Sequence, residues 1–189
     1  MIRIGILGEI GSGKSYVANN FGYPVFNADY EVSKLYNKNK KIYYKLKRKL
    51  PKYISSFPIQ KNQITNAILS NNSNLNTILK IVHSEIRKKL KLFLKKNQNK
   101  KIVILDIPLL LENKICTKRD ILVFVDSPKN DIMKRLKKRL NFNAKLLKRF
   151  QKIQFTPVYK KRRAKFIIKN KFTKNSVRMG IKKILDQLL

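Results

Sequence analysis

The residues Gly8-Glu9-Ile10-Gly11-Ser12-Gly13-Lys14-Ser15 follow the pattern G-x-x-x-x-G-K-[ST]. That spacing serves one chemistry, the holding of nucleoside triphosphate phosphates. Glycines let the backbone curl so that successive N–H groups point at phosphate oxygens, and a following helix adds the positive end of its dipole. In such a loop Lys14 reaches the β- and γ-phosphates and the Ser15 hydroxyl binds Mg²⁺. Gly8 through Ser15, with Tyr16 just beyond, are therefore the expected nucleotide contacts, and a nucleoside triphosphate with Mg²⁺ is the expected ligand.

Three carboxylates follow. Asp29 comes just past a short strand, where adjacent strands of a doubly wound sheet share one crevice. A carboxylate there either orients an acceptor hydroxyl and takes its proton, or caps the helix that follows. Spacing alone leaves both readings open. Asp106 ends an apolar run, the place where a phosphate-loop protein keeps a carboxylate that organises Mg²⁺; a turn cap is the alternative. Glu112 follows and could line the same crevice. Arg135, Arg139 and Arg149 lie in a basic stretch. Arginine neutralises charge on a transferring phosphoryl group, but in a chain with 45 Lys and Arg, cations are also ordinary surface. His83 sits on an amphipathic stripe, where packing is the simpler reading, and Cys116 is a bystander.

The elements that must hold these residues are legible from pattern. Ile2–Leu7, a short segment at Pro24–Phe26, Ile102–Asp106, Ile121–Asp126 and Phe166–Ile168 read as strands. Unbroken apolar runs fit strands buried on both faces. Between strands the periodicity is helical. Pro51 stops a helix carrying Ile42, Tyr43, Leu46 and Leu50. Ser55–Pro58 reads as loop. A further helix carrying Ile64, Ile68 and Leu69 ends at the polar run Ser70–Ser73, and a stripe from Leu75 to Phe93 forms a long amphipathic helix. The chain is helical and cation-rich from Lys129 to Arg163, and helical again from Lys174. With the loop at 8–15, this order predicts an α/β fold of the P-loop type, a parallel sheet with helices on both faces. One domain over 1–189 is expected, with a helical insertion over roughly 30–97.

Composition narrows the classes. The chain has 189 residues, 43% of them hydrophobic, which suits a globular domain with a sizeable core. One cysteine and one histidine exclude a disulfide framework and a Cys/His zinc site. No segment reads as a signal peptide or a membrane span, so a cytoplasmic protein without a membrane partner is expected, and a monomer. The net charge of +35 admits nucleic-acid binding. However, the cations are spread along the chain, and heavy use of lysine, asparagine and isoleucine is what AT-rich coding produces. No specific nucleic-acid partner is expected.

Over nearly its whole length the sequence resembles the dephospho-CoA kinase family, whose members phosphorylate the 3′-hydroxyl of dephospho-CoA in the last step of coenzyme A synthesis. Gly5–Ser15 is similar to the family's opening. Asn27-Ala28-Asp29 stands where the family has Asp-Ala-Asp, and Asp106-Ile107-Pro108-Leu109-Leu110-Leu111-Glu112 resembles its Asp-Ile-Pro-Leu-Leu-Phe-Glu. His83 to Arg87 matches a His-Pro-x-Ile-Arg element. Arg135, Arg139, Arg149 and Gln154 match lid residues, and Asn170 matches an Asn of the adenine-side loop. The resemblance implies Asp29, Lys14 and Arg139 as catalytic residues. It implies ATP contacts that include Arg135, Arg139 and Asn170, and a basic lid near 135–155. The acceptor contacts would be Asp29, His83, Arg87, Asp106, Pro108 and Leu109, with the helical insertion binding dephospho-CoA. Departures are Asn27, Asn62, Ser84 and Lys165, and Glu9 in place of a loop glycine. Rival readings are another P-loop small-molecule or nucleoside monophosphate kinase, and a basic nucleic-acid-binding P-loop protein.

Overall fold

A computed structural model describes residues 1–140 and 142–189. Five strands are formed among them: β1 (Ile2–Gly8), β2 (Val25–Asn27), β3 (Ile102–Asp106), β4 (Ile121–Asp126) and β5 (Phe166–Lys169). They make one parallel sheet in the order β2-β3-β1-β4-β5. Parallel strands put all their carboxyl ends on one edge, so Gly8, Asn27, Asp106 and Asp126 share it. The chain runs from β1 out to β2, back to β3 and then across to β4, and the crevice of such a sheet opens beside the central strand where that direction reverses.

The apolar runs of β3 and β4 reflect burial on both faces. Alternate residues point to opposite sides. Ile4 and Ile6 of β1 join Ile102, Ile104, Val123, Val125 and Ile168 on one face. Val17 and Ala18 of α1 (Lys14–Asn19) cover it, with Val177, Ile181 and Ile184 of α9 (Lys174–Leu188). The other face carries Leu7, Val103, Leu105 and Phe124, all buried. Gly5 lies on that face, and a Cβ there would meet Leu110 Cδ2 at 2.5 Å, so a larger residue would force the packed Leu110 side chain to shift.

Among the described residues, the predicted helical block of 129–163 holds three helices: α6 (Lys129–Lys137), α7 (Ala144–Lys152) and α8 (Pro157–Arg163). Caps make the breaks. Asn143 Oδ1 accepts from Leu146 N at 2.9 Å, and Thr156 Oγ1 accepts from Tyr159 N at 3.2 Å with Pro157 at the first helical turn. No residue of α7 is fully buried.

Residues 28–95 form a second compact unit, the remainder forming the first. The second contains α2 (Ala28–Lys38), α3 (Lys40–Lys49), α4 (Lys61–Ser70) and most of α5 (Asn72–Lys96). Its buried set includes Leu35, Ile42, Leu46, Ile64, Ile68, Leu75, Ile78, Val82 and Ile86, at helical spacing. The polar run at 70–73 ends one helix, as expected, but starts the next almost at once. Ser73 N donates to Asn71 Oδ1 at 2.8 Å, and Asn74 Nδ2 donates to Ala67 O at 3.1 Å. Those side chains satisfy helix-end groups within a single intervening residue. No helix among the described residues is long and apolar enough to cross a membrane.

Candidate active site

The loop after β1 has the curled backbone its glycines predict. Gly11 and Gly13 both have φ of +89°. Gly13 caps α1, and a Cβ on it would sit 2.6 Å from Asn170 Nδ2. Glu9, by contrast, is not among the residues with positive φ, so replacing a glycine there costs no backbone strain. Its carbonyl accepts from Ser12 N at 3.2 Å and from Lys14 Nζ at 2.7 Å, and Lys14 Nζ also donates to Gly8 O at 3.1 Å. The lysine thus folds back over the start of the loop, with its ammonium held by backbone oxygens.

At the end of β3, Asp106 is 4% exposed. Burial pushes its carboxyl above the usual carboxylate range, while a hydrogen bond from Ser15, the nearby Lys14 charge and a hydrogen bond from Asn27 pull the other way. Strand register pairs Asn27 with Asp106, and Asn27 Nδ2 donates to Asp106 Oδ2 at 2.7 Å. Read from sequence, Asn27 is a lost carboxylate. In the structure it is a donor where a second carboxylate would be repelled. The Ser15 hydroxyl and the Asp106 carboxylate are hard oxygen ligands bonded to one another beside Lys14, which is a donor set that suits Mg²⁺.

Further residues surround the loop. Ser127 Oγ and Asn170 Nδ2 each donate to Ser12 O at 2.9 Å. Asn170 is therefore bound to the loop backbone, and its Oδ1 accepts from Phe172 N at 2.9 Å. Arg135 places its guanidinium carbon 4.4 Å from the centroid of the Phe172 ring. Arg139 is exposed just past the end of α6, Tyr16 is exposed beyond the loop, and Arg149 lies on the last turn of α7. Asp29 is the second residue of α2 and falls within its first turn. It is thus inside the helix rather than at the cap position the spacing had left open.

Of the expected acceptor residues, His83 and Arg87 stand one turn apart on α5. With Lys80, Ser84, Lys88 and Lys91 they line a groove of ≈ 470 Å³. Burial, and then the Arg87 charge, hold the His83 imidazole below its usual pKa, so it is neutral in this cationic setting. Leu109 is buried and Pro108 half-buried in the turn after β3. Asn62 is the second residue of α4, and its side chain accepts from Gln63 N at 2.8 Å.

Glu112, which the sequence suggested could line the crevice, is engaged in a nearly buried ion pair. Its Oε1 accepts from Lys160 Nζ at 2.9 Å and from Phe155 N at 2.9 Å. Lys160 also donates to Gln154 Oε1 at 3.0 Å, and the Lys160 and Glu112 side chains are 3% and 9% exposed. This desolvated pair ties the turn after β3 to the segment joining α7 and α8. Removing one partner of a buried pair strands the other charge, so Glu112→Ala is expected to lower stability by about 3–5 kcal/mol in urea unfolding. Adding Lys160→Met should recover part of that loss. Equal stability of Glu112→Ala and the parent would show that the pair is effectively solvated.

Sequence reasoning missed Ser127, Phe172 and Lys160. Phe172 had the clearest signal, as an aromatic two residues past the matched Asn170. Lys160 had none among so many lysines.

A parallel sheet, a phosphate loop at the end of its central strand, a buried carboxylate at the end of the neighbouring strand and arginines on and just past the helix beyond define a P-loop kinase. A family model described as dephospho-CoA kinase matches residues 2–175. The dephospho-CoA kinase of Wolbachia sp. subsp. Brugia malayi is 31% identical over 190 residues, 98% of this chain and 97% of that protein. Among solved structures, TT1252 from Thermus thermophilus aligns with a TM-score of 0.77 and 25% identity, over 100% of this chain and 98% of that one. A dephospho-CoA kinase from Campylobacter jejuni shares the fold with a TM-score of 0.64 and 20% identity, over 98% and 96%. The chain belongs to the dephospho-CoA kinase family, ATP-using enzymes that make coenzyme A from dephospho-CoA.

Proposed function

We propose that this protein transfers the γ-phosphoryl group of Mg²⁺-bound ATP to the 3′-hydroxyl of dephospho-CoA. The observation that carries the proposal is the Lys14–Ser15–Asp106–Asn27 cluster at the carboxyl ends of β1, β2 and β3. Phosphoryl transfer requires little covalent chemistry from the protein and depends on positioning and charge neutralisation. Backbone N–H groups of the loop and the Lys14 ammonium hold the β- and γ-phosphates. The Ser15 hydroxyl would ligate Mg²⁺, and Asp106 would orient its surroundings through Ser15. Mg²⁺, when bound, neutralises charge on the transferring group. Asp29 engages the acceptor hydroxyl and takes its proton, and His83 and Arg87 belong to the acceptor side. The segment near 135–155 acts as the lid, with Arg135 and Arg139 closing over the phosphates and excluding water.

The decisive assay incubates the pure protein with Mg-ATP and dephospho-CoA and looks for CoA by mass. Nucleoside monophosphates and sugars serve as rival acceptors. Absence of CoA alongside turnover of a rival acceptor would overturn the assignment.

The lid arginines have their own test. Arg139→Ala, and to a lesser degree Arg135→Ala, is expected to reduce kcat/KM by about 2–4 kcal/mol in barrier terms, the scale of losing one preorganised charge donor. Lys137→Ala and Lys138→Ala control for charge alone. Four variants with the same kinetics would make the arginines ordinary basic surface.

A further inference from the structure

Two side chains from different strand ends converge on one backbone oxygen of the phosphate loop. Ser127, just past β4, and Asn170, just past β5, both donate to Ser12 O at 2.9 Å. Both are well held. Asn170 is 1% exposed, its N–H donates to Asp126 O at 2.7 Å, and its Oδ1 is taken by Phe172 N. Ser12 itself is completely buried.

In a trans peptide the C=O and the N–H of the next residue point in opposite directions. Fixing Ser12 O against Ser127 and Asn170 therefore turns the Gly13 N–H to the opposite side, toward the concave face of the loop. Were this peptide to rotate by half a turn, a carbonyl oxygen would face the phosphates where a donor is needed. Glycine at 13, with φ of +89°, permits such rotations more readily than any other residue. Two donors on one oxygen oppose the rotation.

We infer that Asn170 and Ser127 are positioning residues for the nucleotide: they aim the Gly13 N–H at phosphate by holding the Ser12 carbonyl away from it. This rests on the ATP-binding reading above and replaces direct contact of Asn170 with ATP by an action through the loop. The same amide fixes the Phe172 backbone, and the Phe172 ring carries Arg135. Asn170 therefore couples the loop to an arginine of the proposed lid.

The test uses calorimetric titration of the full-length protein with Mg-ATP and, separately, with dephospho-CoA, together with melting temperatures. Asn170→Asp keeps the acceptor for Phe172 N but sets an oxygen against Ser12 O in place of a donor. It is expected to weaken ATP binding by about tenfold or more, and Ser127→Ala by about three- to tenfold, the scale of one hydrogen bond. Affinity for dephospho-CoA should not change. ATP affinity equal to the parent in both variants would overturn the inference. So would parallel loss of both ligands with a lowered melting temperature, the mark of general destabilisation. If Asn170→Asp does not fold, Ser127→Ala decides alone. A parent protein that binds no ATP would instead overturn the nucleotide reading itself.

Discussion

Replacing Lys14 with alanine is expected to cut turnover by about 10²–10³-fold while leaving the fold intact. The ammonium donates to the carbonyls of Gly8 and Glu9 at the loop mouth, each bond worth about 1 kcal/mol of stability. Its charge matters far more to a transition state in which negative charge shifts between the bridging and terminal oxygens. Single-turnover measurement of CoA formation, with circular dichroism as the check on folding, separates the two effects. Turnover within a few-fold of the parent would sink the kinase mechanism as assigned.

Asp29→Asn is expected to separate binding from chemistry. Asparagine keeps the size and reach of the side chain but cannot accept the hydroxyl proton. Turnover should fall by about 10²–10⁴-fold, the usual contribution of a positioned acid–base group, with affinities for ATP and dephospho-CoA nearly unchanged. The competing role is electrostatic support of α2, because Asp29 lies in its first turn. Losing that support costs about 0.3–1 kcal/mol and should leave the rate alone. Full activity with a slightly lowered melting temperature would favour the electrostatic role. Moving the carboxylate with Asn27→Asp plus Asp29→Asn should not restore activity. Asn27 faces Asp106 at 2.7 Å, and two carboxylates there would repel one another.

The sheet was largely readable from the chain because its signals are local. Ile102–Asp106 and Ile121–Asp126 are continuous apolar runs, and both form strands with those bounds. The loop pattern at 8–15 marks its own position, and the turn from β1 into α1 takes the form it predicts. The supports of that loop were not readable. Ser127 and Asn170 lie 115 and 158 residues from Ser12, and no local pattern records that their side chains meet one carbonyl. The engagement of Glu112 was unreadable for a similar reason. Its partner Lys160 is one cation among 45, distinguished only by burial. Asn27 looked like an impairment because a sequence shows the carboxylate that is missing and not the neighbour that an amide can satisfy.

Strand order also has a consequence for how the chain is made. β1 leaves the ribosome well before its neighbours β3 and β4, which begin at residues 102 and 121. At ~5–20 residues per second, roughly 5–20 seconds of synthesis pass before either partner exists. During that interval Ile2–Gly8 is an unpaired apolar edge, while residues 28–95, contiguous and helical, can gather through local contacts. Birth of the protein is thus ordered from the inside out, with the nucleotide loop organised only when the second half of the chain arrives. Strong like-charge repulsion between nascent copies, from +35 spread along the sequence, discourages them from pairing through that waiting strand.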